Sequence, residues 1–130
     1  MTLSFWVSGI PAPKGSWRPV RNKRTGKTLL IPDNKRERPW AEHVSWLAKA
    51  QGARPRTGPV TVCICFYLPK PKKPTHDYPA RGDLDKLARS VLDALKGIAY
   101  DDDAQVTRLI TEKCWAEVGE PGARVEVMHD

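Results

Sequence analysis

The chain has 130 residues, with 22 Lys and Arg against 15 Asp and Glu, a net charge of +7 at neutral pH, and 40% hydrophobic residues. That length suits one domain over residues 1–130 with a modest core, and the charge favours a polyanionic partner, nucleic acid ahead of an anionic membrane. No apolar run approaches the ~20 residues that cross a bilayer, and the start lacks the basic-then-apolar order of a secretory leader. The expected location is therefore cytoplasmic, with no membrane partner. Cys63 and Cys65 lie two apart on a strand-like run and Cys114 stands alone; with no CxxC pair and scattered histidines, reduced thiols are expected rather than disulfides or zinc.

Leu3, Phe5 and Val7 alternate with Ser4, Trp6 and Ser8, which predicts a strand ending before Pro11. A basic stretch follows, with Lys14, Arg18, Arg21, Lys23, Arg24, Lys27 and Lys35 against Asp33, and Arg24-Thr25-Gly26 suits either a hairpin turn or an open loop. From Pro39 the spacing of Trp40, Ala41, Val44, Leu47 and Ala48 predicts a helix, with the proline in its first turn. After a Pro/Gly/Arg linker, Val60 to Leu68 reads as a strand apolar on both faces, hence central. The segment from Pro69 to Arg81 carries Lys70, Lys72, Lys73 and Arg81 among four prolines and reads as an extended basic loop.

A second helix is marked by Leu84, Leu87, Ala88, Val91, Leu92 and Leu95, with Gly97 as its stop. Strands are expected at 104–116 and 124–128, joined by a turn at 119–122. The sum is a small α/β (α+β) domain with two main helices packed on one mixed or mainly antiparallel sheet. Trp6, Trp40, Trp46 and Trp115 read as core or dimer-face residues, and Trp17 as packing ahead of the alternative of stacking on an unpaired base.

Six carboxylates crowd into 21 positions of a basic protein: Asp83, Asp85, Asp93, Asp101, Asp102 and Asp103. Adjacent like charges raise one another's pKa unless a cation compensates. Asp83 and Asp85 open the second helix, where negative charge is tolerated and Asp83 can cap. That helix rises ~18 Å. An extended run from Gly97 to Asp103 would cover ~20 Å and return Asp102 and Asp103 to the level of Asp83 and Asp85. Hard oxygen ligands so gathered suit Mg²⁺ with water and phosphate. Lys86 and Arg89 follow within one or two turns and are candidates to stabilise a phosphate, while Asp85, Arg89 and Asp93 also fit an i,i+4 surface ladder.

The stretch from Gly82 to Gly97 followed by Asp101-Asp102-Asp103-Ala104-Gln105-Val106 resembles the RusA family of Holliday junction resolvases, whose signature runs D-L-D-N-L, a lysine two residues later, D-A-L, then D-D-x-Q-[IV]. The match covers about 25 contiguous residues. The resemblance implies a RusA-like fold and a metal-dependent endodeoxyribonuclease of bacterial or phage origin that cuts four-way DNA junctions in recombination and repair. It further implies Mg²⁺, with Mn²⁺ as a substitute, no small-molecule cofactor, and products with 5′-phosphate ends. By position, its metal ligands fall on Asp83, Asp85 and Asp103, with Asp102 beside them. Lys86 stands where the family has Asn, and Arg89 where it has its catalytic lysine; Arg keeps the charge but differs in geometry.

Symmetric cutting of two strands makes a homodimer the economical assembly. The basic segments, residues 14–36 and 70–81, would line the DNA backbone. The competing expectations are a junction-binding protein with weakened catalysis, a metal nuclease for other branched DNA, and an enzyme acting on small phosphorylated molecules.

Overall fold

The computed structural model describes residues 2–15, 17–32, 36–117 and 119–129. Asp33 and Lys35, and the side chains of Trp17 and Arg18, lie outside the described residues. In chain order the elements are β1 (Thr2–Ser8), β2 (Trp17–Arg21), β3 (Thr28–Pro32), α1 (Glu37–Ala50), β4 (Val60–Pro69), α2 (Leu84–Leu95), a 3-10 turn at Asp103–Gln105, β5 (Val106–Ala116) and β6 (Gly122–His129). A four-stranded sheet has the order β1-β6-β4-β5, with β4 and β5 parallel and the other pairs antiparallel. The domain is therefore α+β with a mixed sheet, and β4 is an interior strand as its two apolar faces require.

Alternation on β4 buries Val60, Val62, Ile64, Phe66 and Leu68 against the helices, while Thr61, Cys63, Cys65 and Tyr67 lie half-buried on the other face. The stripe of α2 that faces the core consists of Leu87, Ala88, Ser90, Val91, Ala94 and Leu95, and Leu87, Val91 and Leu95 are wholly buried. Each such side chain contributes roughly 1.5–3 kcal/mol by leaving water. Trp40, Val44 and Ala48 of α1 complete the layer. No described helix is long and apolar enough to cross a membrane.

The basic stretch after β1 is not a simple loop. β2 and β3 form a separate antiparallel hairpin. Its turn is closed by the Asn22 amide on the Lys27 carbonyl (2.8 Å) and the Gly26 amide on the Asn22 carbonyl (2.8 Å), with Gly26 at φ +70°. Of the tryptophans assigned to the core or a dimer face, Trp40 is buried and Trp46 is exposed. Trp6 sits on the open sheet face, its ring centroid 5.6 Å from that of Tyr67. All three cysteines are free thiols. Burial pushes the Cys65 thiol up to about 11, so it stays protonated near neutral pH.

Candidate metal and DNA site around helix α2

Asp83 occupies the N-cap position of α2 with extended backbone (φ −64°, ψ 129°), yet its carboxylate accepts no hydrogen bond from the helix amides. The expected capping role is absent, and its ion-pair neighbour is Lys86 at 3.8 Å. Asp85, in the first helical turn, is exposed. Neighbouring segments fix where these carboxylates stand. The Lys113 ammonium, reaching in from β5, donates to the Gly82 carbonyl at 2.9 Å. Gly82 adopts φ +80°, and a Cβ there would meet the Leu87 side chain at 3.5 Å. The Lys14 amide donates to the Lys86 carbonyl at 2.9 Å.

Beyond the other end of α2 the backbone does not run out extended. Gly97, at φ +79°, donates to the Tyr100 carbonyl (2.7 Å), and the amides of Ile98 and Ala99 both return to the Leu95 carbonyl (2.9 Å each). This tight turn buries Tyr100, whose hydroxyl donates to the Leu92 carbonyl at 2.6 Å. Burial first, and then the adjacent Asp103 carboxylate, push the Tyr100 hydroxyl well above its ordinary pKa. Asp103 thus lies beside the last third of α2. Asp102 caps the 3-10 turn by accepting from the Ala104 amide at 3.0 Å.

Gln105 is the hub of this end. Its Oε1 accepts from the amides of Asp101 (2.8 Å) and Asp102 (2.9 Å), and its Nε2 donates to the carbonyls of Arg56 (2.7 Å) and Gly58 (2.9 Å). The sequence showed this glutamine only as part of a D-D-x-Q pattern; two turns and a linker meet on it.

The two acidic segments therefore stand apart along α2, not level with each other as an extended return would have placed them. Leu92 lies ~12 Å along the axis from Leu84. Among the described residues of one chain, no three His, Cys, Asp or Glu side chains gather closely enough to hold a metal ion. The physical reason is the tight turn, which spends Gly97 to Tyr100 on reversing direction. The donor chemistry remains that of a hard-cation site, since Asp83, Asp85 and Asp103 are exposed carboxylates.

Asp93 pairs with Lys14 (3.3 Å), so the ladder drawn through Arg89 gives way to a tertiary ion pair. Lys14 also meets Glu37 at 3.3 Å. Partial burial lowers its pKa, but Asp93 and Glu37 together outweigh that and leave it raised. Lys14 thus fastens the segment after β1 onto both helices, a different use from contacting DNA. Arg21, Lys23, Arg24 and Lys27 are exposed on the β2–β3 hairpin, and Lys72, Lys73 and Arg81 are exposed in the loop before α2. Lys70 is paired with Glu117 at 2.8 Å. Arg89 is exposed on α2.

The family model described as Endodeoxyribonuclease RusA matches residues 11–128. The chain belongs to the RusA family. It is also 32% identical over 142 residues to a Bacillus subtilis (strain 168) protein described as Uncharacterized protein YqaN, a match that spans 97% of this chain and 94% of that relative. RusA membership makes the chain one of a family of endodeoxyribonucleases, hydrolases that act on DNA. The RusA match takes in both acidic segments, α2 between them, the hairpin and the basic loop.

Proposed function

We propose that the chain is a Mg²⁺-dependent endonuclease that resolves four-way DNA junctions as a two-fold homodimer, each active site shared between two chains. The observation that carries this reading is the separation of Asp83 and Asp85 from Asp103 along α2, together with the character of β5. β5 is an eleven-residue edge strand with Leu109 and Ile110 exposed. Such an edge invites a second strand. Antiparallel pairing of two β5 strands about the point between Leu109 and Ile110 sets Val106 of one chain opposite Lys113 of the other. Lys113 holds Gly82, so the turn bearing Asp103 of one chain comes to the helix start bearing Asp83 and Asp85 of its partner.

In that assembly Asp83, Asp85 and the partner's Asp103 would hold the ion, and Asp102 would shape the turn that presents Asp103. A bound Mg²⁺ supplies Lewis-acid polarisation of a phosphoryl oxygen and a more acidic water. The remaining work falls to the chain. Arg89, three residues after Lys86 on the exposed side of α2, would meet the developing phosphate charge bidentately. The hairpin and the loop before α2 bring exposed cations to the DNA backbone. Two sites related by a two-fold axis suit paired cuts in strands of a symmetric junction.

The test is complementation. Asp83→Asn and Asp103→Asn chains, each alone, should fail to cut a synthetic four-way junction in Mg²⁺. Mixed and refolded together, they should recover nicking, because one site of the mixed dimer is intact. EDTA should abolish it. No recovery in a mixture shown to contain the mixed dimer would overturn the shared site, and cutting in EDTA would overturn the metal. An Arg89→Ala chain should cut about 10–100-fold more slowly with junction affinity little changed.

A further inference from the structure

A cavity of about 770 Å³ opens at the N-terminal end of α2, between the end of β4 and the proline-rich loop. Its walls include Leu68, Pro69, Pro79, Leu87 and Trp115, and its ionisable lining among the described residues is Arg36, Lys73, His76 and Arg81, with no carboxylate among them. The indole Nε1 of Trp115 is buried without a hydrogen-bond partner among the described residues. His76 stacks on Tyr78 with ring centroids 5.2 Å apart. Gly82, another lining residue, immediately precedes Asp83.

We infer that this cavity is a nucleotide pocket that receives one unstacked base with its phosphate, next to the position of cleavage. The inference rests on the proposed function for the source of that nucleotide, but the pocket's chemistry stands by itself. Flat apolar walls suit a planar base, and the volume falls in the range of small-ligand sites. Among the described wall groups Lys73, His76 and Arg81 are cationic when charged, which suits a phosphate. A base entering here leaves the stack, a cost of a few kcal/mol that is smallest where pairing is already broken. The crossover of a branched DNA is such a place. The pocket would then select where along the DNA the carboxylates act, separately from how they act.

The same chemistry is offered by a free nucleotide, so the experiment has two arms, both in EDTA so that no strand is cut. In the first, the protein is irradiated with a four-way junction carrying 5-iododeoxyuridine at each crossover position in turn. In the second it is irradiated with 5-iododeoxyuridine monophosphate alone. Adducts are mapped by peptide mass spectrometry. The comparison variant is Ala80→Trp, an exposed lining residue, whose added ring fills the mouth; junction binding by mobility shift and the thermal midpoint serve as controls.

Adducts on Trp115 or His76 from the junction, reduced at least tenfold in Ala80→Trp with junction affinity within about threefold, are the expected result. The same adducts from the monophosphate alone would uphold the pocket and assign it to a free nucleotide. Adducts confined to other residues in both arms, or yields that Ala80→Trp leaves unchanged, would overturn it. A protein that shows these adducts but never cuts in Mg²⁺ would fail the proposed function and keep the pocket, so the two are separable. Should Ala80→Trp unfold, Thr75→Trp, at another exposed lining residue, takes its place, with a loss of at least threefold in adduct yield expected and no loss counting against the pocket.

Discussion

The two acidic segments that flank α2 have the same residue type and opposite structural employment. Before the helix, Asp83 stands at a capping position without capping, and Asp85 faces solvent. After it, Asp102 is spent on the Ala104 amide, and Gln105 ties the neighbouring amides to the Arg56 and Gly58 carbonyls. The first segment is held from outside, by Lys113 on Gly82 and by Lys14 on Lys86. The second is held by its own side chains. A carboxylate whose removal costs the fold little is available for chemistry, and one that the fold already uses mainly builds a platform.

The comparison can be broken most sharply at Asp83. Asp83→Asn should lower Mg²⁺-supported junction cleavage by at least roughly 10²–10³-fold, while urea denaturation shows a change within about 0.5 kcal/mol. A large stability loss would mean that Asp83 does structural work after all. On the other side, Gln105→Ala strands two carbonyls and two amides and should destabilise by about 2 kcal/mol, measured by the same denaturation. Asp102→Ala should cost about 1 kcal/mol as a lost cap, with a smaller fall in cleavage than Asp83→Asn. An Asp102 variant as inactive as the Asp83 one would put Asp102 among the ligands.

The smallest effect concerns pH. Burial first, and then the Arg56 and N-terminal charges, lower the pKa of His129, which lines a small cavity with Arg56 and Ala99 beside the same linker. The fold favours the neutral imidazole, so the unfolded chain takes up the proton first as pH falls through about 6.5. Stability should therefore decline below that pH and level off below the folded pKa. His129→Gln should flatten that slope, and an unchanged slope would remove His129 as its origin.

Local pattern made much of this protein legible. Alternation and three-four spacing located β1, α1, β4, α2, β5 and β6, because each buries one face or stripe and the period of burial is written in the residues. Two acidic motifs with an amphipathic helix between them were enough to indicate the RusA family. The hairpin at Trp17–Pro32 stayed open between turn and loop because its sequence mixes prolines, basic residues and a short apolar run without regular alternation.

What the sequence determined by itself was which residues are candidates for the chemistry: aspartates around α2, cations beside them, and a helix of known length between. Where those groups stand was decided by tertiary structure. The turn at Gly97 to Tyr100 closes on the Leu95 carbonyl and on a buried tyrosine that reaches Leu92. That closure, which no spacing rule encodes, keeps Asp103 at the far end of the helix from Asp83. Counting residues gives the reach of a chain, but only packing decides how much of that reach is used.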